Sequence, residues 1–167
     1  KDQPFDIVVS GINRGANVGN VSHLSGTVGA AMEGLYHGLP AIAVSEDPNS
    51  ENTAITAKFT ADLVDRYRRL GAPSGTMISI NVPAGELKGI AVRPMGDSYL
   101  GTLRYAPTER DSMTTDYESV RIIVESEDPT TDTYAYQQGY ISVTPLKFDW
   151  TDFEMLDEIE SWNLQID

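Results

Sequence analysis

The chain has 167 residues and no cysteine, which excludes a disulfide framework and any thiolate metal site. Its 25 acidic residues outnumber 12 lysines and arginines, giving a formal charge of −13, and that field argues against a nucleic-acid polymer as partner. Hydrophobic residues make up 40 %, enough for a core, yet no apolar run approaches the roughly 20 residues of a membrane helix, so no membrane partner is expected. No signal peptide is visible, and the lack of cysteine is compatible with the cytoplasm, the expected compartment. The chain opens on Lys1 and becomes strand-like almost at once, the appearance of a domain that has been cut.

The first half alternates strand and helix signals. Phe5 to Ser10 is a short β-branched run, expected as a buried strand ending at Gly11. A loop rich in Gly and Asn is expected from Gly11 to Leu24. Ser25 is placed to cap a helix that runs through Ala30, Met32 and Leu35 and stops at Gly38 before Pro40. Ala41 to Ser45 reads as a second buried strand. Asn52 to Leu70 carries Ile55, Phe59, Leu63, Val64 and Tyr67 at helical spacing, with Gly71 as its stop. Met77 to Val82 is a third strand, closed by Pro83. This alternation predicts a mostly parallel α/β sheet.

The second half changes character. Gly89 to Arg93 reads as a strand. The polar stretch from Asp97 to Asp116, with Tyr99, Leu100, Leu103 and Tyr105, suggests an extended arm or hairpin. Ser119 to Glu125 and Tyr140 to Leu146 alternate as strands do, and Glu127 to Thr133 is turn-rich around Asp128-Pro129. Thr151 to Trp162 is expected as a terminal acidic helix with an apolar stripe of Phe153, Leu156 and Ile159. The chain therefore divides, as an expectation, into a catalytic-core part, 1–88, and an arm and terminal-helix part, 89–167, serving sheet completion and assembly.

One segment stands out chemically: Ser10-Gly11-Ile12-Asn13-Arg14-Gly15-Ala16-Asn17-Val18-Gly19-Asn20, followed by Ser25-Gly26-Thr27. It leaves the carboxyl end of a strand, where open α/β sheets bind ligands. Asn13 and Asn17 offer neutral carbonyl oxygens of the kind a hard divalent cation accepts beside carboxylates. Ser25, Gly26 and Thr27 present free N–H groups at a helix start, a natural phosphate cradle. The loop is neither a Walker A motif nor a clean dinucleotide fingerprint. The pattern alone supports an anion site at a strand end, against the plainer reading of a Gly/Asn turn with a capped helix.

These residues, together with Val28-Gly29-Ala30-Ala31-Met32-Glu33-Gly34, Gly38 to Ser45, Ile80-Asn81-Val82-Pro83, Thr131-Asp132 and Gly139 to Leu146, resemble the survival protein SurE family. The resemblance implies a Rossmann-like three-layer α/β fold with a C-terminal β-hairpin arm and terminal helix. It implies a metal-dependent 5′/3′-nucleotidase, a phosphoric monoester hydrolase acting on a nucleoside monophosphate or another small phosphomonoester. It implies that Asn13 is a ligand of a divalent cation such as Mg or Mn, and that Asn17, Ser25, Gly26 and Thr27 lie at the phosphate. It further implies that the arm and terminal helix are exchanged between subunits, giving a homodimer or homotetramer.

Two departures matter. Family members usually carry acidic residues just after Gly19, where this chain has Asn20-Val21-Ser22-His23. The family's paired aspartates, expected upstream, are not in this sequence, so no catalytic residue is assigned and the isolated 167 residues are expected to turn over negligibly. The alternatives are a non-hydrolytic nucleotide or anion-binding module and an inactive assembly fragment. His23 reads either as a proton donor to a leaving group or as a solvated loop residue. Arg14 reads as a phosphate or base contact or as a surface ion pair. The tyrosines at 99, 105, 117, 134, 136 and 140 read as base-stacking groups or as cover for an arm or interface.

Overall fold

The computed structural model describes residues 4–101, 104–111, 113–120 and 122–166. In chain order it contains β1 (Val8–Arg14), a short 3-10 helix (Gly19–Leu24), α1 (Gly26–Tyr36), β2 (Ala41–Glu46), α2 (Thr53–Leu70), β3 (Met77–Val82), β4 (Ile90–Val92), β5 (Arg104–Glu109), β6 (Thr115–Val120), α3 (Asp132–Gln137), β7 (Ile141–Leu146) and α4 (Glu154–Ser161). One sheet has the order β1-β2-β3-β7-β4, and β5 and β6 form a separate antiparallel ribbon. The pairs β1–β2, β2–β3 and β4–β7 are parallel, and only β3–β7 is antiparallel. The mostly parallel α/β sheet and the hairpin arm match expectation.

The sheet is covered on both faces, which makes three layers. On one face α2 lays Phe59, Leu63, Val64 and Tyr67 against Ile42, Val44, Ile80 and Val82. On the other, α1 sets Val28, Ala31 and Leu35 on Ala41, Ala43 and Met77. Alternation along each strand sends even-numbered residues of β2 and β3 to α2 and odd-numbered ones to α1. The α2 face is apolar along most of its length and ends on Glu46, buried against Thr56. The α1 face turns polar toward the carboxyl ends of the parallel strands, where Ser45, Ser79, Asn81, Ser142 and Thr144 are all buried. That polar half is the floor on which the site is built.

Several boundaries differ from expectation. β1 begins at Val8 and runs through Gly11 to Arg14, a stretch expected as loop. It keeps pairing with β2, Asn13 opposite Ser45 and Arg14 opposite Glu46, across a register irregularity after Ser10. A β-bulge is how a strand absorbs residues that do not alternate cleanly. Of the expected strand from Ser119 to Glu125, only Ser119 and Val120 belong to β6; Ile123 makes a lone bridge to Leu100, and Arg121 lies outside the described residues. Leu103, expected in the arm, also lies outside them. The expected turn region ends in a helix, α3, capped by Thr131 and packed on β7 and β4. α4 forms as expected but buries none of its residues, so Phe153, Leu156 and Ile159 remain exposed rather than packed on the chain's own sheet.

A third small core lies outside the sheet, where Tyr99 and Tyr136 meet edge to face at 5.7 Å beside Val18. Tyr136 Oη donates to Asp47 Oδ2 at 3.0 Å. Burial, with the nearby Asp47 carboxylate adding to it, pushes both hydroxyls above the ordinary tyrosine range. A hydroxyl that stays protonated longer in the folded chain than in the unfolded one stabilises fully below about pH 10, and that contribution is lost as pH rises further. The melting temperature is therefore expected to fall steeply above pH 10. Tyr136→Phe should be less stable at neutral pH but show a flatter decline, as thermal melts from pH 8 to 11.5 would reveal.

Candidate functional site

The site is assembled at the carboxyl ends of β1, β2 and β3. Register places Asn13, Ser45, Asn81 and Ser142 in one row across four strands. Asn17, just beyond β1, turns its side chain into this row. Its Nδ2 donates to Ser45 Oγ at 2.7 Å, and its backbone N–H donates to Asn81 Oδ1 at 2.7 Å. Asn81 Nδ2 returns a longer bond to Asn17 O at 3.4 Å. Within the row Ser142 Oγ is buried with no partner among the described residues.

The loop then climbs to α1 through side chain and backbone. Ser22 Oγ donates to Asn17 O at 2.7 Å, and Ser25 N–H donates to Ser22 O at 3.3 Å. Ser25 in turn caps α1, its Oγ accepting from Val28 N–H at 3.2 Å. Capping leaves the N–H groups of Gly26 and Thr27 without a bond to any described residue, and nothing lies within 4 Å of where a Gly26 side chain would start. Two unspent donors at the positive end of an 11-residue helix suit a phosphate group. Gly19 has a φ of +55°, and a Cβ there would fall on Asp97 O, so only glycine lets the loop pass under the 95–98 segment.

Asn13 is half-buried on β1, and its Nδ2 donates to Gly15 O at 2.8 Å, which settles which edge of the amide presents oxygen. That oxygen suits a hard cation as one ligand. Among the described residues no group of three or more His, Cys, Asp or Glu could hold a metal. Glu46, at the end of β2, is committed elsewhere: it accepts from Thr53 Oγ1 at 2.6 Å and Thr56 Oγ1 at 3.0 Å at the start of α2.

Other candidates are resolved by position. Arg14 donates to Pro48 O at 2.8 Å, neither an ion pair nor a contact within the loop. His23 packs edge to face on Trp150, ring centroids 5.1 Å apart. Together with Ser22, Ser25, Met32 and Phe148 these two rings line a cleft of about 500 Å³ that opens beside the start of α1. Sequence reasoning missed Ser45, Asn81 and Trp150 as parts of this site; the small polar residues alternating along β2, β3 and β7 were the available signal.

The comparisons with known proteins agree with this architecture. The family model described as "Survival protein SurE" matches residues 1–102. The chain belongs to the SurE family. The 5′-nucleotidase SurE of Thermoanaerobacter sp. strain X514 is 36 % identical over 169 residues, covering 97 % of this chain and 66 % of the relative. That of Pseudoalteromonas atlantica is 36 % identical over 168 residues, covering 98 % and 68 %. The crystal structure of SurE protein from Aquifex aeolicus superposes with a TM-score of 0.74 at 32 % identity, covering 95 % of this chain and 66 % of that one. The chain thus spans about two thirds of the length of the SurE relatives it matches. No described helix is long and apolar enough to cross a membrane.

Proposed function

We propose that this protein is a divalent-metal-dependent phosphomonoesterase that hydrolyses nucleoside monophosphates in the cytoplasm. The observation that carries the reading is the pair of unspent N–H donors at Gly26 and Thr27, at a helix start tied by hydrogen bonds to the strand-end row of Asn13. In this reading Ser25 orients the cradle, Gly26 and Thr27 hold non-bridging phosphate oxygens, and Asn17 fixes the loop from beneath with one Nδ2 hydrogen on Ser45 Oγ, keeping its second for the phosphate. Asn13 supplies one neutral oxygen to the cation. A cation held there would supply charge neutralisation for the dianionic ester during in-line attack by water or a carboxylate. A −13 chain opposes its own substrate, which makes that neutralisation more necessary. The carboxylates that would complete the cation's shell are not clustered among the described residues. The cleft beside Ser25, walled by His23 and Trp150, has room for a nucleoside attached to the phosphate.

The test is phosphate release from nucleoside monophosphates by the protein expressed from its whole coding sequence, titrated with Mg or Mn. Turnover that rises with cation and vanishes with chelator is expected. Phosphate binding without turnover would instead establish a non-hydrolytic anion-binding module.

Assembly is part of the proposal. α4 offers Phe153, Leu156 and Ile159 on one exposed stripe with no covering surface among the described residues, and we assign that stripe and the β5–β6 arm to a homodimer or homotetramer contact. Replacing Leu156 and Ile159 with serine is expected to reduce the particle mass in light scattering while leaving the melt of the sheet unchanged. An unaltered mass would remove α4 from the interface.

A further inference from the structure

Asp132 is 1 % exposed, yet no described Lys, Arg or His forms an ion pair with it. A buried carboxylate without a cation is costly unless several donors converge on it. Four groups do, from four parts of the chain. Gly96 N–H donates to Oδ1 at 2.8 Å, and Gly19 N–H straddles both oxygens at 3.2 and 3.1 Å. Thr133 Oγ1 and Thr144 Oγ1 complete the set at 3.3 and 3.4 Å. The packing around it is tight: a Cβ on Gly96 would stand 2.7 Å from Thr131 Cβ.

The position of Gly19 gives this cluster its meaning. It opens the 3-10 helix that joins Asn17 to Ser25, so the loop is pinned twice. Asn81 and Ser45 fix its entry, and Asp132 fixes the residue from which it turns toward the phosphate cradle. A hydrogen bond to an ionised acceptor is stronger than one to a neutral acceptor, and a loop that must present two N–H groups accurately gains most from it. We propose that Asp132 is a positioning residue for the phosphate site, acting through Gly19 and Gly96 to set where the loop delivers Ser25, Gly26 and Thr27. This rests on the phosphomonoesterase reading for its effect on substrate, and on geometry alone for its effect on the loop.

Asp132→Asn keeps the shape and removes the charge. Val143→Ala loosens the same strand, β7, from its α2 face, touches none of these groups and serves as the structural control. Both are made in the protein expressed from its whole coding sequence. By hydrogen exchange the wild-type Gly19 and Gly96 amides should be as protected as those of β7. Asp132→Asn should speed exchange across 15–24 by about tenfold or more without speeding it in β2 and β3. The inhibition constant for inorganic phosphate should rise about tenfold in Asp132→Asn and stay within twofold in Val143→Ala. If the two variants lose melting temperature and phosphate affinity in proportion, Asp132 is merely a staple of the fold and the proposal fails. If wild type neither binds phosphate nor turns over ester, the functional reading fails while the exchange data still decide the loop role. Should Asp132→Asn not fold, a Gly19 amide exchanging at exposed-loop rates in wild type overturns the proposal by itself.

Discussion

Replacing Asn13 with alanine is expected to weaken the apparent affinity for the activating cation by at least about 100-fold while leaving the fold in place, since even groups one step removed from a metal commonly cost 10- to 100-fold. The backbone of residue 13 stays paired with Ser45 of β2 whatever its side chain. The only side-chain bond lost is the one to Gly15 O, worth roughly 1 kcal/mol at a half-buried position. That corresponds to a melting shift of about 2–4 °C for a chain of this size. Asn13→Asp should behave oppositely at the metal, because a hard cation prefers an anionic oxygen to an amide one. A titration of turnover against Mg or Mn separates the variants. An alanine variant with unchanged metal dependence would leave Asn13 as a turn-shaping residue only and would shift the cation's ligand set elsewhere.

The sequence made the two halves of the core legible to different degrees, for a physical reason. The α2 side is apolar over most of both partners, so Ile42, Val44, Ile80 and Val82 and the helical spacing of Phe59, Leu63 and Tyr67 announce it. The α1 side mixes alanine, serine and asparagine, and short polar residues in a strand look like solvent-facing ones until the loop above them is placed. Asn81 illustrates this: in the run Ile78-Ser79-Ile80-Asn81-Val82 alternation alone would put it outside, yet it is fully buried under Asn17. The start of α1 was readable because capping is local chemistry, and Ser25 caps it as its sequence predicts. The clamp by Asp132 was not, because it joins residues 113 apart in sequence, and no periodicity reports such a contact. The short helix α3 was hidden by the turn signal of Asp128-Pro129, which marks where the chain reverses but carries no sign of the helical turns after it.

The two-faced sheet leads to the largest expected stability effect, at Asn81. Its side chain is 0 % exposed, and its Oδ1 is the acceptor for the Asn17 N–H. Asn81→Ala strands that buried N–H, leaves Ser79 without its Asn81 bond and opens a small void beneath the loop. Orphaning a buried donor costs about 1–3 kcal/mol, so with the void a loss of roughly 3 kcal/mol is expected, or a melting shift on the order of 10 °C. Asn81→Leu should be no better, since an isosteric apolar group satisfies neither Asn17 nor Ser79. Ile80→Val, one residue away on the opposite face, removes a single methylene from the α2 core and should cost only about 0.5–1.5 kcal/mol. The decisive contrast lies in phosphate binding. Asn81→Ala releases the entry of the loop that carries Ser25 and should weaken inorganic phosphate inhibition by about tenfold, whereas Ile80→Val should leave it unchanged. If both variants weakened phosphate in proportion to their melting shifts, the polar row would be part of the general core. If only Asn81→Ala did, burying asparagine where a leucine would pack is how this sheet holds the loop to its strand ends.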